Sequence, residues 1–331
     1  MIEILTYPFM QRALIAALLT GLIAPAIGTY IVQRRLSLLG DGLGHVALAG
    51  VGLALLTGTA PIPLAVLACV AGAVVVEILR QHGKASGDVG LAILFYGGLA
   101  AGVFLSGISG VGAGGLAQYL FGSLTTVTAG DLRLIAVLAI VILVTTLGLA
   151  PQLYAVSTDE EFARTQGLQV RFYNIAVVSL AAITVALAMR TVGLLLVSAL
   201  MVVPVAAARN LVRGFTAALI CAVAIGVVTA VGGAAASFYV DAAPGAFIVL
   251  LAITVFVLSW PLSYLLRRRR LAAVPELVDD DELVAPHTVT ESHPHHHAPG
   301  CGHPAVQHGD HTDFIHQGHR HAAHADHYDE H

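Results

Sequence analysis

Long apolar runs separated by short polar interruptions dominate the first 266 residues. Charge-free runs cover residues 13–32, 46–76, 89–130, 134–158, 172–189, 191–208, 214–240 and 242–266. A membrane-crossing helix needs about 20 mostly apolar residues. Each run is therefore long enough for one crossing, and several are too long for only one. Pro61 and Pro63 predict a turn inside the second run, and "SGISGVGAGG" interrupts the third before "LAQYLFGSL". The pattern predicts an all-α polytopic membrane protein with eight or nine transmembrane helices over residues 1–270. An Ala-x-Ala-like site in "IAPAIG" admits a cleaved leader. The apolar run, however, continues to Val32 and ends in two arginines, which suits a retained helix.

Charge orients these helices. Basic residues gather at Arg34 and Arg35, from Arg80 to Lys84, from Arg164 to Arg171, from Arg209 to Arg213 and from Arg267 to Arg270. The positive-inside rule makes those loops cytoplasmic. The turns near Thr59, Gly110, Arg190 and Asp241 then face outward and the C-terminal tail lies inside. Nine crossings place the N-terminus outside, eight place it inside. Composition agrees: 57% of residues are hydrophobic, 11% are charged and the mean hydropathy is +0.84, whereas a soluble domain carries roughly a quarter charged residues. Three cysteines with no zinc-site spacing argue against a disulfide framework.

Residues 271–331 differ. They carry the acidic "ELVDDDELV" at 276–284 and continue into a tail holding fourteen of the sixteen histidines. Low complexity and high polarity predict disorder without a ligand. Histidine interspersed with aspartate is a metal-binding composition, which makes His293, His295, His296, His297, His303, His308 and His311 accessory ligands.

Two stretches carry candidate chemistry in the membrane domain. In "LSLLGDGLGHVALAGVG", residues 36–52, Asp41 and His45 stand one helical turn apart on one face. A carboxylate and an imidazole offer oxygen and nitrogen donors to Zn²⁺ or Mn²⁺, and ionisable groups inside a span are costly and usually functional. The plainer alternative makes Asp41 a helix cap and His45 a buried, hydrogen-bonded residue. Two ligands are few, and a two-fold dimer would bring four. In "STDEEFARTQGL", residues 157–168, Ser157 with Glu160, or Thr158 with Glu161, reads as a capping box, and Gly167 is a natural stop. This predicts a short charged helix between spans with Phe162 as its apolar knob. Glu77 and Asp131 read as membrane-edge residues. No G-x-x-x-x-G-K-[ST], H-E-x-x-H or G-x-S-x-G occurs, so ATP binding through a P-loop and these hydrolase chemistries are excluded.

In this order, "LSLLGDGLGHVALAGVGLALLTG", "GDVGLAILFYGGLAAGVFLSG", "YLFGSLTTVTAGDL", "STDEEFARTQGL", "VGLLLVSALMVVPVAAARNL" and "DAAPGAFIVLLAITVFVLS" resemble the conserved segments of the permease subunits of ABC-type zinc and manganese importers. The resemblance covers roughly residues 10–266. It implies a fold of the type II importer permease kind in a prokaryotic plasma membrane. Asp41 and His45 then match the residues lining the metal pathway. Ser157, Asp159, Glu160, Glu161, Phe162, Ala163 and Gly167 fall in the segment that docks on the ATPase. The family motif usually has Ser or Ala where this chain has Gly44, so backbone flexibility there could differ.

The implied partners are a cytoplasmic ATP-binding subunit, an extracytoplasmic metal-binding protein and a second copy of the chain, with no nucleic acid. The chain itself is then a transporter subunit rather than an enzyme. It holds no tight cofactor, and Zn²⁺ or Mn²⁺ is the substrate. Zinc is favoured over manganese or iron because the tail is rich in imidazole. A proton-coupled zinc exporter is the rival, but it needs a second intramembrane His/Asp pair, and the runs after residue 172 contain no histidine. A sensor or scaffold that transports nothing is a third reading, disfavoured by the 157–168 segment.

Overall fold

The computed structural model describes residues 6–82, 87–110, 112–123, 127–189, 193–240, 242–272, 288–289, 301–308, 311–316, 319–324 and 327–330. It divides into two compact units, residues 1–266 and 267–331.

The first unit is helical: α1 (Pro8–Gln33), α2 (Leu39–Thr57), α3 (Pro61–Gln81), α4 (Gly87–Ile108), α5 (Gly112–Phe121), α6 (Ala129–Gly148), α7 (Ala150–Thr158), α8 (Glu160–Thr165), α9 (Val170–Ala188), α10 (Leu194–Leu211), α11 (Phe215–Val240) and α12 (Pro244–Ala272). Proline, whose missing N–H costs nothing in a first helical turn, opens α1, α3 and α12 and lies in the first turn of α7. The turn expected near Pro61 is present. Gly58, at φ +65°, closes α2 in the left-handed conformation before Pro61 starts α3.

Among the described residues eight helices are long and apolar enough to cross a membrane, and α10 has a shorter apolar stretch, Val197–Leu211. That agrees with the expected eight or nine. The run 134–158 is not one helix. It breaks at Leu149 into α6 and α7, because Pro151 cannot donate to the preceding turn and disfavours helical backbone just before itself. Asp131, read from sequence as an edge residue, completes a capping box with Thr128 at the start of α6.

α1, α2, α9 and α10 occupy the middle of the unit. α1 packs on α11, α10, α9 and α6, and α2 packs on α4, α3, α10 and α9. Large apolar side chains of α6 and α12, such as Ile140, Val144, Leu250 and Val257, point outward, as lipid-facing surfaces do. Contact between α2 and α4 depends on absent side chains. A Cβ on Gly98 of α4 would lie 2.6 Å from the backbone carbon and nitrogen of His45 and Val46, closer than carbon atoms pack.

In the second unit the described residues pair as an antiparallel sheet of β1 (Thr288–Val289), β2 (Ala305–His308), β3 (His311–His316), β4 (His319–His324) and β5 (His327–Glu330), in the order β1-β5-β4-β3-β2. Composition predicts no fixed structure here, and the strands depart from that expectation. His308 stands opposite His311, His316 opposite His319 and His324 opposite His327.

Gly98→Ala should force α4 away from α2. Inserting a methyl group into a packed contact costs about 1–3 kcal/mol, so the detergent-solubilised variant is expected to melt several degrees below wild type by circular dichroism. An unchanged midpoint would show that this contact has slack.

Candidate functional site

Asp41 lies in the first turn of α2 and His45 one turn further on. An acid is electrostatically favourable at a helix N-terminus. The alternative of Asp41 as cap is not what the structure has: the cap position is Leu38, and no side-chain cap bond is made there. Asp41 instead accepts a hydrogen bond from the Ser198 hydroxyl of α10 through Oδ1. His45 packs edge-to-face on Phe95 of α4, with ring centroids 4.1 Å apart. Both residues of the pair are partly exposed, so their donor atoms are not sealed in the core. Gly44 serves the same assembly, since a Cβ there would meet the Leu194 carbonyl of α10 at 3.3 Å. Its role in the structure is a close approach of two helices. Among the described residues no group of three or more His, Cys, Asp or Glu side chains could hold a metal.

The segment 157–168 forms the end of α7, then α8 and a glycine stop. The cap is not Ser157 or Thr158. Both are still helical in α7, and Ser157 is buried. Asp159 has extended backbone, and its Oδ1 accepts from the N–H groups of Glu161 and Phe162 at 3.0 and 2.9 Å. Phe162 is 57% exposed, while Ala163 is buried in a small core with Val156 and Val170. Gly167 ends the segment at φ +79°, and Leu168 N–H closes back on the Ala163 carbonyl at 3.1 Å.

Around α8 lies a cluster of charges that sequence reading did not assemble. Glu77 near the end of α3 accepts from Arg80 at 2.8 and 3.0 Å and from Gln81 at 2.9 Å. Glu160 of α8 accepts from Arg80 at 3.3 Å and from Asn174 of α9 at 3.0 Å. Arg34, just past α1, stands 3.6 Å from each acid. Burial lowers the Arg34 pKa, and the negative charge of Glu77 opposes that fall. The guanidinium nevertheless stays charged. Next to it, Gln33 takes a hydrogen bond from Arg209 of α10 and donates to Thr158 of α7. A surface pocket beside α8 is lined by Arg80, His82, Arg164 and Arg171 as well as Glu160 and Asn174.

Of the tail histidines, His293, His295, His296 and His297 lie outside the described residues. His303 lies two residues before the start of β2, and His308 and His311 belong to β2 and β3.

Residues 6–263 match the family described as ABC 3 transport family. The chain belongs to that family. Its resemblance to the permease subunits of ABC-type zinc and manganese importers is thereby borne out. The manganese transport system membrane protein MntC of Halalkalibacterium halodurans is 31% identical over 259 residues, covering 78% of this chain and 88% of the relative. The high-affinity zinc uptake system membrane protein ZnuB of Haemophilus influenzae is 30% identical over 266 residues, covering 79% and 100%. Among solved structures, PsaBC from Streptococcus pneumoniae in complex with Fab matches at a TM-score of 0.71 and 27% identity, covering 78% of this chain and 92% of that one.

Ser198 was legible only as a hydroxyl in an apolar run. Glu77 had a signal in Glu-x-x-Arg, the spacing of a helical ion pair, whereas Arg34 and Glu160 are joined only by folding. Asp159→Ala removes the cap of α8, a loss of about 1 kcal/mol for an N-cap aspartate. Faster amide exchange confined to residues 160–163, with the spans unchanged, is the expected result. Unchanged protection would mean that packing of Ala163 alone holds the helix.

Proposed function

We propose that this chain is the membrane-spanning subunit of an ATP-driven importer of divalent transition metal, with zinc favoured as substrate. The observation that carries the proposal is the Asp41–His45 pair on a central helix, in a chain of this family, with Ser198 reaching Asp41 from a second helix. A carboxylate and an imidazole suit borderline cations. Two ligands hold such an ion weakly, as release on the far side requires. A second copy related by a two-fold axis adds a second pair and completes four ligands.

In this reading metal arrives from an extracytoplasmic binding protein and meets Asp41 and His45 from both copies. ATP is hydrolysed on a separate cytoplasmic subunit docked against α8, with exposed Phe162 as its anchor and the rest of 157–168 around it. Displacement of α8 changes which side of the bundle is open. α10 shares in the change because Ser198 and the metal compete for the same Asp41 oxygens. The arginine-rich helix ends and the C-terminal tail lie inside, where the tail's histidines, His303, His308 and His311 among them, meet metal as it emerges. Zinc is preferred for that imidazole content. Manganese is the second reading, favoured by the relative named for it.

Uptake by vesicles containing the chain with its ATPase and binding protein tests the assignment, with zinc and manganese offered separately. Asp41→Asn and His45→Ala are expected to lower ATP-dependent uptake at least about tenfold, in the range that disturbed metal sites show, while the complex still assembles. Normal uptake in both would return the pair to structure. The metal carried better by wild type names the substrate. Deleting residues 287–331 should preserve uptake and alter only its response to metal load, and complete loss of uptake would make the tail part of the transport machinery.

A further inference from the structure

One oxygen, Glu160 Oε1, is where α8 meets three spans. It accepts from Arg80 of α3 at 3.3 Å and from Asn174 of α9 at 3.0 Å, and it lies 3.6 Å from Nη2 of Arg34 at the end of α1. Arg34 is itself shared. The same Nη2 is 3.6 Å from Oε1 of Glu77, and its side chain is only 4% exposed. Among the described residues neither terminal nitrogen of Arg34 has a partner within full hydrogen-bond geometry, although both are buried. A buried guanidinium held equally between an acid of a span and an acid of α8 is under-satisfied, and a small displacement of α8 tightens one contact at the expense of the other.

We infer that Arg34 and Glu160 are positioning residues that form the joint transmitting movement of α8 to the membrane helices. If α8 moved alone, Glu160 would leave a buried cation with half its counter-charge, and removing one partner of a buried pair is strongly unfavourable. The end of α1 must therefore follow. Gln33, the adjacent residue, bonds Arg209 of α10, and α10 carries the Ser198 that holds Asp41. Displacement at α8 thus reaches the candidate metal pair through the end of α1 and through α10. Spatial continuity alone does not establish coupling, so the joint is defined by what its loss does to transport.

This inference rests on α8 being the docking segment of an ATPase, and the test separates the two. The full complex is purified, and zinc transported per ATP hydrolysed is measured in vesicles. Glu160→Gln removes the charge but keeps an oxygen for Asn174 and Arg80. In the complexes that assemble, transport per ATP hydrolysed should fall about tenfold, within the range of coupling factors. Arg34→Lys keeps the charge without the fork and should shift the ratio in the same direction. Gln81→Ala, which loses a bond to Glu77 only, should stay within about twofold. A wild-type ratio in Glu160→Gln overturns the joint. So does loss of the ATPase from that variant, which would make Glu160 a docking contact, or an equal effect of Gln81→Ala, which would mean general loosening. Wild-type chain that brings down no ATPase removes the proposed function, and the joint with it.

Discussion

Helices in a bilayer gain little by hiding apolar side chains from one another, because lipid is equally apolar, so close van der Waals approach holds them together. α2 depends on that constraint at several positions along its length. Its neighbours reach its backbone, as the 2.6 Å separation at Gly98 shows. At Gly40 a Cβ would lie 2.9 Å from that of Ser198. Ser198 is a short side chain, and it bonds Asp41 only because α10 comes this near. The polar chemistry of α2 is thus a consequence of its missing side chains. A bulkier helix would stand off, leaving Asp41 without its hydroxyl partner and His45 without the wall of Phe95.

The C-terminal end of α1 obeys a different rule. A charge taken out of water must be matched, and a matched pair is retained more readily for specificity than for net stability. Arg34 with Glu77, each under 5% exposed, is such a pair, and the chain extends it outward to Arg80 and Glu160, both about one-third exposed. The cluster therefore grades from fully buried to half-solvated over a few ångströms. The buried half fixes the end of α1 against α3. The solvated half is where α8 is attached, and Arg34, 3.6 Å from both acids, ties it to the buried half.

The spans were legible because a run of about 20 apolar residues has few alternatives, and the turn at Pro61 and the stop at Gly167 were legible because proline and glycine act locally. The cap of α8 was misplaced by one or two residues for the same local reason. Ser157, Thr158 and Asp159 are all good caps, and only the length of α7 decides that its helical backbone runs through the first two and frees the third. The break at Leu149 was hidden inside a run that hydropathy alone cannot divide, although Pro151 marked it. Arg34–Glu160 and Asp41–Ser198 join residues more than a hundred positions apart, and no periodicity encodes such pairs. In the tail, composition argued against order, whereas the described residues pair as antiparallel strands.

The candidate pair also bears on how a metal could be chosen. A carboxylate and an imidazole serve zinc, manganese and iron alike, and affinity among divalent ions follows the metal more than the site. Within one family, relatives of nearly equal identity to this chain are named for manganese and for zinc, so membership does not select the ion. If Asp41 and His45 are ligands, discrimination must enter through what completes the coordination shell or through the protein that delivers the ion. Ser198 bears on the first of these. While it holds Asp41 Oδ1, the carboxylate has fewer lone pairs to offer, which suits a low-coordinate tetrahedral ion. A carboxylate free to bind through both oxygens would instead suit an ion that takes six oxygen-rich ligands.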